Sequence, residues 1–170
     1  MTDRHFILGG ARSGKSRRAQ SVAEGLARRR VFIATAQAFD EEMAERIARH
    51  RADRAHGWET IETPLDPAGA VRASAASGTA CLVDCLTLWL SNLMHAGRDV
   101  DAATLDLVRA LDEAGGPVVL VSNEIGLGLV PETPLGRRFR DAQGRLNQAV
   151  AAACDRVEFV AAGLPLVLKG

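Results

Sequence analysis

Near the start of the chain, the run FILGGARSGKSRRA (residues 6–19) joins an apolar segment to a helix-forming one through a loop holding three glycines and a lysine. This junction constrains the fold more than any other feature. A short buried strand must run into a tight loop, and the loop must open directly into a helix. Gly9, Gly10, Ala11, Arg12, Ser13, Gly14, Lys15 and Ser16 match the pattern G-x-x-x-x-G-K-[ST]. Glycines let the backbone curl so that successive N–H groups face phosphate oxygens. The helix N-terminus adds partial positive charge. Lys15 can reach the terminal phosphates, and the Ser16 hydroxyl can ligate Mg²⁺. The loop therefore reads as the seat of a nucleoside triphosphate.

The rest of the chain repeats the strand-then-helix pattern. Strand-like runs lie at 31–35, 58–62, 81–84 and 117–123, and helical periods cover 16–29, 40–51, 66–77, 86–96, 101–114 and 134–155. The segments 157–162 and 164–169 face each other across Gly163 as a hairpin. Near-continuous Val/Ile/Leu strands between helices predict an α/β fold. The expected architecture is a mainly parallel sheet with helices on both faces and an antiparallel edge hairpin at the C-terminus. A length of 170 residues suits one domain over 1–170. The arginines at 28–30 read as the cationic end of the first helix.

Lys plus Arg and Asp plus Glu both number 21, so the formal net charge is zero, which argues against a nucleic-acid partner. Three cysteines, Cys81, Cys85 and Cys154, make neither a disulfide framework nor a zinc pattern; Cys81 and Cys85 flank an apolar run and read as buried thiols. No signal peptide or run long enough to span a bilayer is legible, so the expected location is the cytoplasm, without membrane insertion.

A magnesium site needs a carboxylate beside the phosphate loop. Asp84 ends the apolar run CLVD, where such a residue belongs; a helix cap is the other reading, and the two are compatible. No N-K-x-D guanine motif occurs, so an enzyme acting on a small molecule fits better than a regulatory GTPase.

Three blocks are more specific: GGARSGKS (9–16), FIATAQAFDEEMAERIARHRADR (32–54) and SNEIGLGLVPETPLGRRFRDAQGRLNQ (122–148). Together they resemble the bifunctional adenosylcobinamide kinase / adenosylcobinamide-phosphate guanylyltransferase family of cobalamin biosynthesis. The resemblance implies a RecA-like P-loop domain and a homotrimer. It implies phosphorylation of adenosylcobinamide with ATP or GTP. GMP then passes from GTP, through a guanylylated histidine, to adenosylcobinamide phosphate, giving adenosylcobinamide-GDP and pyrophosphate.

The matching histidine is His50, which closes the second helical segment. Met43, Ile47 and His50 share one helix face, and on spacing alone a packed core histidine is the commoner meaning. The resemblance makes His50 the nucleophile, with Lys15 as the other catalytic group. Neutral imidazole suits that role at pH 7. His56 is a competitor in the turn that follows; His5 and His95 read as structural. The resemblance also assigns nucleotide contacts to Ala34, Thr35, Ala36, Arg51, Ala52, Asp53, Arg54 and Glu62. Arg51 and Arg54 also read as a solvated basic turn, and Glu62 as a strand-end acid. Asn123 and Glu124 end a strand at the ligand edge and are candidates for positioning the acceptor hydroxyl or a metal-bound water. Arg137, Arg138 and Arg140 could meet phosphate or corrinoid, but such a run usually means a charged helix face. Two other functions fit the phosphate loop: a small-molecule kinase without nucleotidyl transfer, and a non-enzymatic, nucleotide-gated interaction protein.

Overall fold

The computed structural model describes residues 3–37 and 57–170. In chain order the elements are β1 (Arg4–Gly9), α1 (Lys15–Leu26), β2 (Arg29–Ala34), β3 (Trp58–Glu62), α2 (Pro67–Ser74), β4 (Thr79–Asp84), α3 (Leu86–His95), α4 (Val100–Glu113), β5 (Val118–Asn123), α5 (Pro134–Ala153), β6 (Arg156–Ala161) and β7 (Leu164–Lys169). The strands form one seven-stranded sheet in the order β3-β2-β4-β5-β1-β6-β7. Every neighbouring pair is parallel except β6–β7, which is the expected antiparallel hairpin. The helical segment expected at 40–51 lies outside the described residues.

Side chains along the central strands alternate between two apolar layers, as the pleat demands. Ile7, Phe32, Leu82, Val119, Val121 and Val160 meet Ala19 and Ala23 of α1 on one face. Phe6, Ile33, Val83, Leu120 and Val157 meet α2 to α5 on the other, around Trp89, Leu90, Leu107 and Leu146. All of these residues are buried. Cys81 and Cys85 are buried thiols, as expected, and so is Cys154.

Helix starts follow local chemistry. Asp66, Asp99 and Thr133 cap α2, α4 and α5 by accepting from the N–H groups of Gly69, Ala102 and Gly136. Pro67 and Pro134 sit in the first turns of α2 and α5, where a missing N–H costs nothing.

One expectation fails. The helix predicted at 16–29 stops at Leu26, and Arg29 and Arg30 belong to β2 instead of forming a cationic helix end. Tertiary pairing overrides the local signal: Arg30 sits between Trp58 and Ala80 in the sheet, with its guanidinium 5.6 Å from the centre of the Trp58 ring.

Candidate active site

The carboxyl ends of the parallel strands form the edge on which the site is built. β1 ends at Gly9 and the chain turns through Gly10 to Gly14 into α1. Two residues of the turn take positive φ, Arg12 at 55° and Gly14 at 96°. Gly14 precedes the first helical residue and supplies no side-chain cap, and the first turn of α1 carries no acid. The N–H groups at this end are thus left for an anion. The Lys15 ammonium folds back over the loop and donates to the Gly10 carbonyl at 3.0 Å. The buried Ser13 Oγ has no hydrogen-bond partner, a second polar group directed within the loop.

Packing explains the loop's glycines. A Cβ on Gly9 would stand 2.5 Å from Ser13 Oγ and 2.5 Å from the Val160 carbonyl oxygen. A Cβ on Gly14 would meet the Gly163 Cα at 3.2 Å. Gly163 lies in the two-residue turn between β6 and β7, where Ala162 has φ 51° and Gly163 φ 80°. Two consecutive positive φ values are what a tight hairpin turn requires. The Gly163 N–H donates to the Ser13 carbonyl at 2.8 Å. The C-terminal hairpin therefore buttresses the phosphate loop, a contact that sequence reading of the hairpin alone did not reach.

Asp84 ends β4 at the same edge. In register with it stand Ala34 at the end of β2 and, across Ala34, Glu62 at the end of β3. The cap of α3 falls to Cys85, whose Sγ accepts from the Leu88 N–H at 3.5 Å, and not to Asp84. Burial pushes the Cys85 thiol up to about 12; Asp84 adds to that push while Lys15 opposes it.

Thr35 is fully buried. Its hydroxyl donates to the Cys85 carbonyl at 2.7 Å and accepts from the Cys85 N–H at 2.9 Å. Its carbonyl accepts from the Asn92 carboxamide at 2.8 Å, and the same nitrogen reaches Pro64 at 3.0 Å. The Thr35 side chain is therefore a clamp between the ends of β2 and β4. Ala34 and Ala36 flank it and are half-buried, and Glu62 is exposed.

The structure thus gathers residues 9–16, Ala34, Thr35, Ala36, Glu62 and Asp84 along one edge. His50, Arg51, Ala52, Asp53, Arg54 and the competitor His56 lie outside the described residues. His5 sits in β1 with its Nε2 3.7 Å from Glu158, and His95 is exposed with its Nδ1 2.8 Å from the Ser91 carbonyl oxygen.

Behind the loop, Glu158 on β6 is wholly buried and holds the Arg18 guanidinium of α1 through two bonds of 2.8 and 2.9 Å. Arg156 adds a third at 3.1 Å. Arg18 first, then Arg156, outweigh desolvation and hold the Glu158 carboxyl at about 2. Burial lowers the neighbouring His5 imidazole, against the pull of Glu158. This bidentate pair fixes α1, and hence the phosphate loop, to the C-terminal part of the sheet.

Among the described residues, no cluster of three His, Cys, Asp or Glu side chains forms a metal site, and no helix is long and apolar enough to cross a membrane.

Residues 5–168 match the family described as cobinamide kinase / cobinamide phosphate guanyltransferase. The chain is 50% identical over 169 residues to the Pseudomonas aeruginosa protein named bifunctional adenosylcobalamin biosynthesis protein CobP, covering 98% of each. It is 38% identical over 179 residues to the Salmonella typhimurium protein named bifunctional adenosylcobalamin biosynthesis protein CobU, covering 96% of this chain and 98% of that one. Among solved structures, a type III secretion system ATPase superposes with a TM-score of 0.59 at 11% identity, over 97% of this chain and 56% of that one. The RadB recombinase does so with a TM-score of 0.54 at 13% identity, over 92% and 73%. At such identities the likeness concerns the fold alone, which is the RecA-like P-loop architecture.

Proposed function

Because this chain belongs to the cobinamide kinase / cobinamide phosphate guanyltransferase family, we propose that it runs both reactions on nucleotides seated in the loop 9–16, with His50 as the covalent carrier of GMP. The observation that carries the reading is an uncapped, glycine-lined helix N-terminus with Lys15 folded over it, in a chain that matches the family from end to end.

In the kinase step the adenosylcobinamide hydroxyl oxygen bonds to the γ-phosphorus of ATP or GTP. The bond from that phosphorus to the bridging oxygen breaks, the nucleoside diphosphate leaves with the electron pair, and the hydroxyl proton passes to solvent. In the second reaction a neutral His50 nitrogen attacks the α-phosphorus of GTP and pyrophosphate leaves. The phosphate of adenosylcobinamide phosphate then displaces the imidazole, giving adenosylcobinamide-GDP and restoring His50. One difficult transfer is thereby split into two easier ones. Lys15 and the N–H groups at the start of α1 hold the charge that develops on the phosphates. Arg51, Ala52, Asp53, Arg54, Ala34, Ala36 and Glu62 extend the nucleotide contacts, while Thr35 acts by holding the strand ends together.

The donor set at the edge suits Mg²⁺, which prefers hard oxygen ligands. Ser16 and Asp84 would hold it beside the phosphates, where it would neutralise charge. The location that fits its biosynthetic relatives is the cytoplasm. The family resemblance extends to a homotrimer, and β7 supplies apolar surface for such an assembly: Leu164, Leu166, Val167 and Leu168 are all exposed.

Supplying adenosylcobinamide, γ-labelled ATP and α-labelled GTP tests the reading. A corrinoid product carrying both labels supports it. A product carrying only the γ label leaves a kinase without nucleotidyl transfer. Nucleotide binding with no labelled product leaves a nucleotide-gated interaction protein.

A further inference from the structure

The end of β5 is held more firmly than any purpose of the sheet requires. Asn123 stands in register with Gly9, where the phosphate loop begins. Its N–H donates to Thr87 Oγ1 of α3 at 2.9 Å. Its carbonyl accepts from the Asn147 carboxamide of α5 at 3.2 Å. The next N–H, on Glu124, donates to the Gly9 carbonyl at 3.1 Å. Three different elements thus fix two consecutive residues at the rim of the loop.

Behind them lies a buried polar cluster. Ser122 is 0% exposed, Gln143 1% and Asn147 6%. Ser122 Oγ donates to Asn147 Oδ1 at 2.8 Å. Gln143 Nε2 donates to Ser122 Oγ and to Asn147 Oδ1, both at 2.9 Å. The result is that Asn147 Oδ1 accepts twice, which fixes the carboxamide so that its nitrogen faces Asn123. Gln143 Oε1 is buried with no partner. A buried, unpaired carbonyl destabilises the fold, and apolar side chains would fill this space without that loss. The cluster is therefore poorly explained by stability. It is better explained by orientation: Ser122 and Gln143 hold Asn147, which donates to the Asn123 carbonyl, and Ser122 Oγ lies 3.4 Å from the Thr87 hydroxyl that accepts from the Asn123 N–H.

The Asn123 side chain itself is half-buried, and its carboxamide makes no hydrogen bond among the described residues. It sits between the strand of the phosphate loop and the strand that ends in Asp84, since β5 pairs with both β1 and β4. Of the two reactions, only the kinase step transfers the terminal phosphoryl group to an acceptor; in the guanylyl step that group leaves intact within pyrophosphate.

We infer that Asn123 is a specificity-determining residue for the kinase reaction, its carboxamide donating to the γ-phosphoryl oxygens as phosphorus passes to the acceptor hydroxyl, and that Thr87, Ser122, Gln143 and Asn147 are positioning residues that hold it there. This rests on the two-reaction reading given above. The guanylyl step breaks a bond at the α-phosphorus and does not use this contact.

The two activities provide the test. Wild-type enzyme and variants are assayed for phosphoryl transfer from γ-labelled ATP to adenosylcobinamide and, separately, for protein-bound label from α-labelled GTP. Asn123→Ala is expected to lower kinase kcat by roughly 100-fold, as for loss of one transition-state donor, with protein labelling within about twofold of wild type. Thr87→Val, of equal size, is expected to lower kinase kcat at unchanged nucleotide KM, and Thr87→Ser, which keeps the acceptor for the Asn123 N–H, to recover most of the rate. Gln143→Leu removes the orphaned carbonyl and is expected to keep or raise the melting temperature while lowering kinase kcat. Unchanged kinase kcat in Asn123→Ala overturns the inference, as does an equal fall in both activities or in Thr87→Ser and Thr87→Val alike. Failure of the wild-type enzyme to show either activity counts against the two-reaction reading instead.

Discussion

The Gly163 N–H donates to the Ser13 carbonyl at 2.8 Å, so residues 150 positions apart in sequence meet at the phosphate loop. A turn between the last two strands thereby sets the shape of a loop that follows the first. The contact leaves no room for a side chain on Gly14, whose Cβ would stand 3.2 Å from the Gly163 Cα.

Substitutions of the loop glycines should therefore differ sharply. Gly14→Ala adds a steric conflict to a φ of 96° that itself costs a side chain about 1 to 2 kcal/mol. Gly9→Ala places a methyl against the Val160 carbonyl, and relief requires the sheet to shift, costing about 1 to 3 kcal/mol. Gly10 has open space at its Cβ position, and Gly10→Ala should stay within about 0.5 kcal/mol of wild type. Urea melts of the three variants check this ordering.

Glu158 should make the protein acid-sensitive in a defined window. Its folded-state carboxyl is held at about 2, below the ordinary range, chiefly by Arg18. A depressed acid contributes stability above its unfolded value near 4.3 and loses it as pH falls toward the folded value. The contribution is about 3 kcal/mol. Half-buried His5, also lowered, adds a loss that begins below about pH 6.5. Glu158→Gln should be less stable at pH 7 by about 3 kcal/mol, with a shallower decline between about pH 5 and 2. Equilibrium unfolding across pH measures both.

Thr35→Val tests the clamp. The substitution keeps shape but removes the hydroxyl that satisfies both the N–H and the carbonyl of Cys85. A loss of about 1 to 3 kcal/mol is expected in denaturant unfolding. Because the clamp joins the strand end that carries Asp84, nucleotide affinity should fall as well.

Much of this was legible in the sequence because it is local. The pattern 9–16, the strand end at Asp84 and the hairpin across Gly163 each depend on a few adjacent residues, and each stands where its pattern placed it. What was not legible is long-range. Arg29 and Arg30 read as a helix end because cations favour that position, yet strand pairing and the Trp58 ring claimed them. Thr35 read as a ligand contact, while its hydroxyl is occupied by a residue 50 positions away. Gln143 and Asn147 fall four apart on α5, a spacing that marks a shared helix face but not the polar cluster that face would meet. Glu158 gave no sign in VEFVAA of the two arginines that pair with it.

Both reactions require the triphosphate to be gripped. Lys15→Ala should therefore lower kinase turnover and protein labelling together, by at least about 100-fold each, if the ammonium supplies a transition-state charge contact of ordinary strength. Full kinase activity in this variant would mean that the loop 9–16 does not hold the reacting nucleotide.

The central claim is that one imidazole captures the nucleotide portion of a gripped triphosphate. The direct measurement is retention of α-label from GTP on denatured protein, comparing wild type, His50→Ala and His56→Ala. The account predicts label on wild type and His56→Ala that survives base and is released by acid, and none on His50→Ala. Label that persists in His50→Ala, or that vanishes only in His56→Ala, would contradict it.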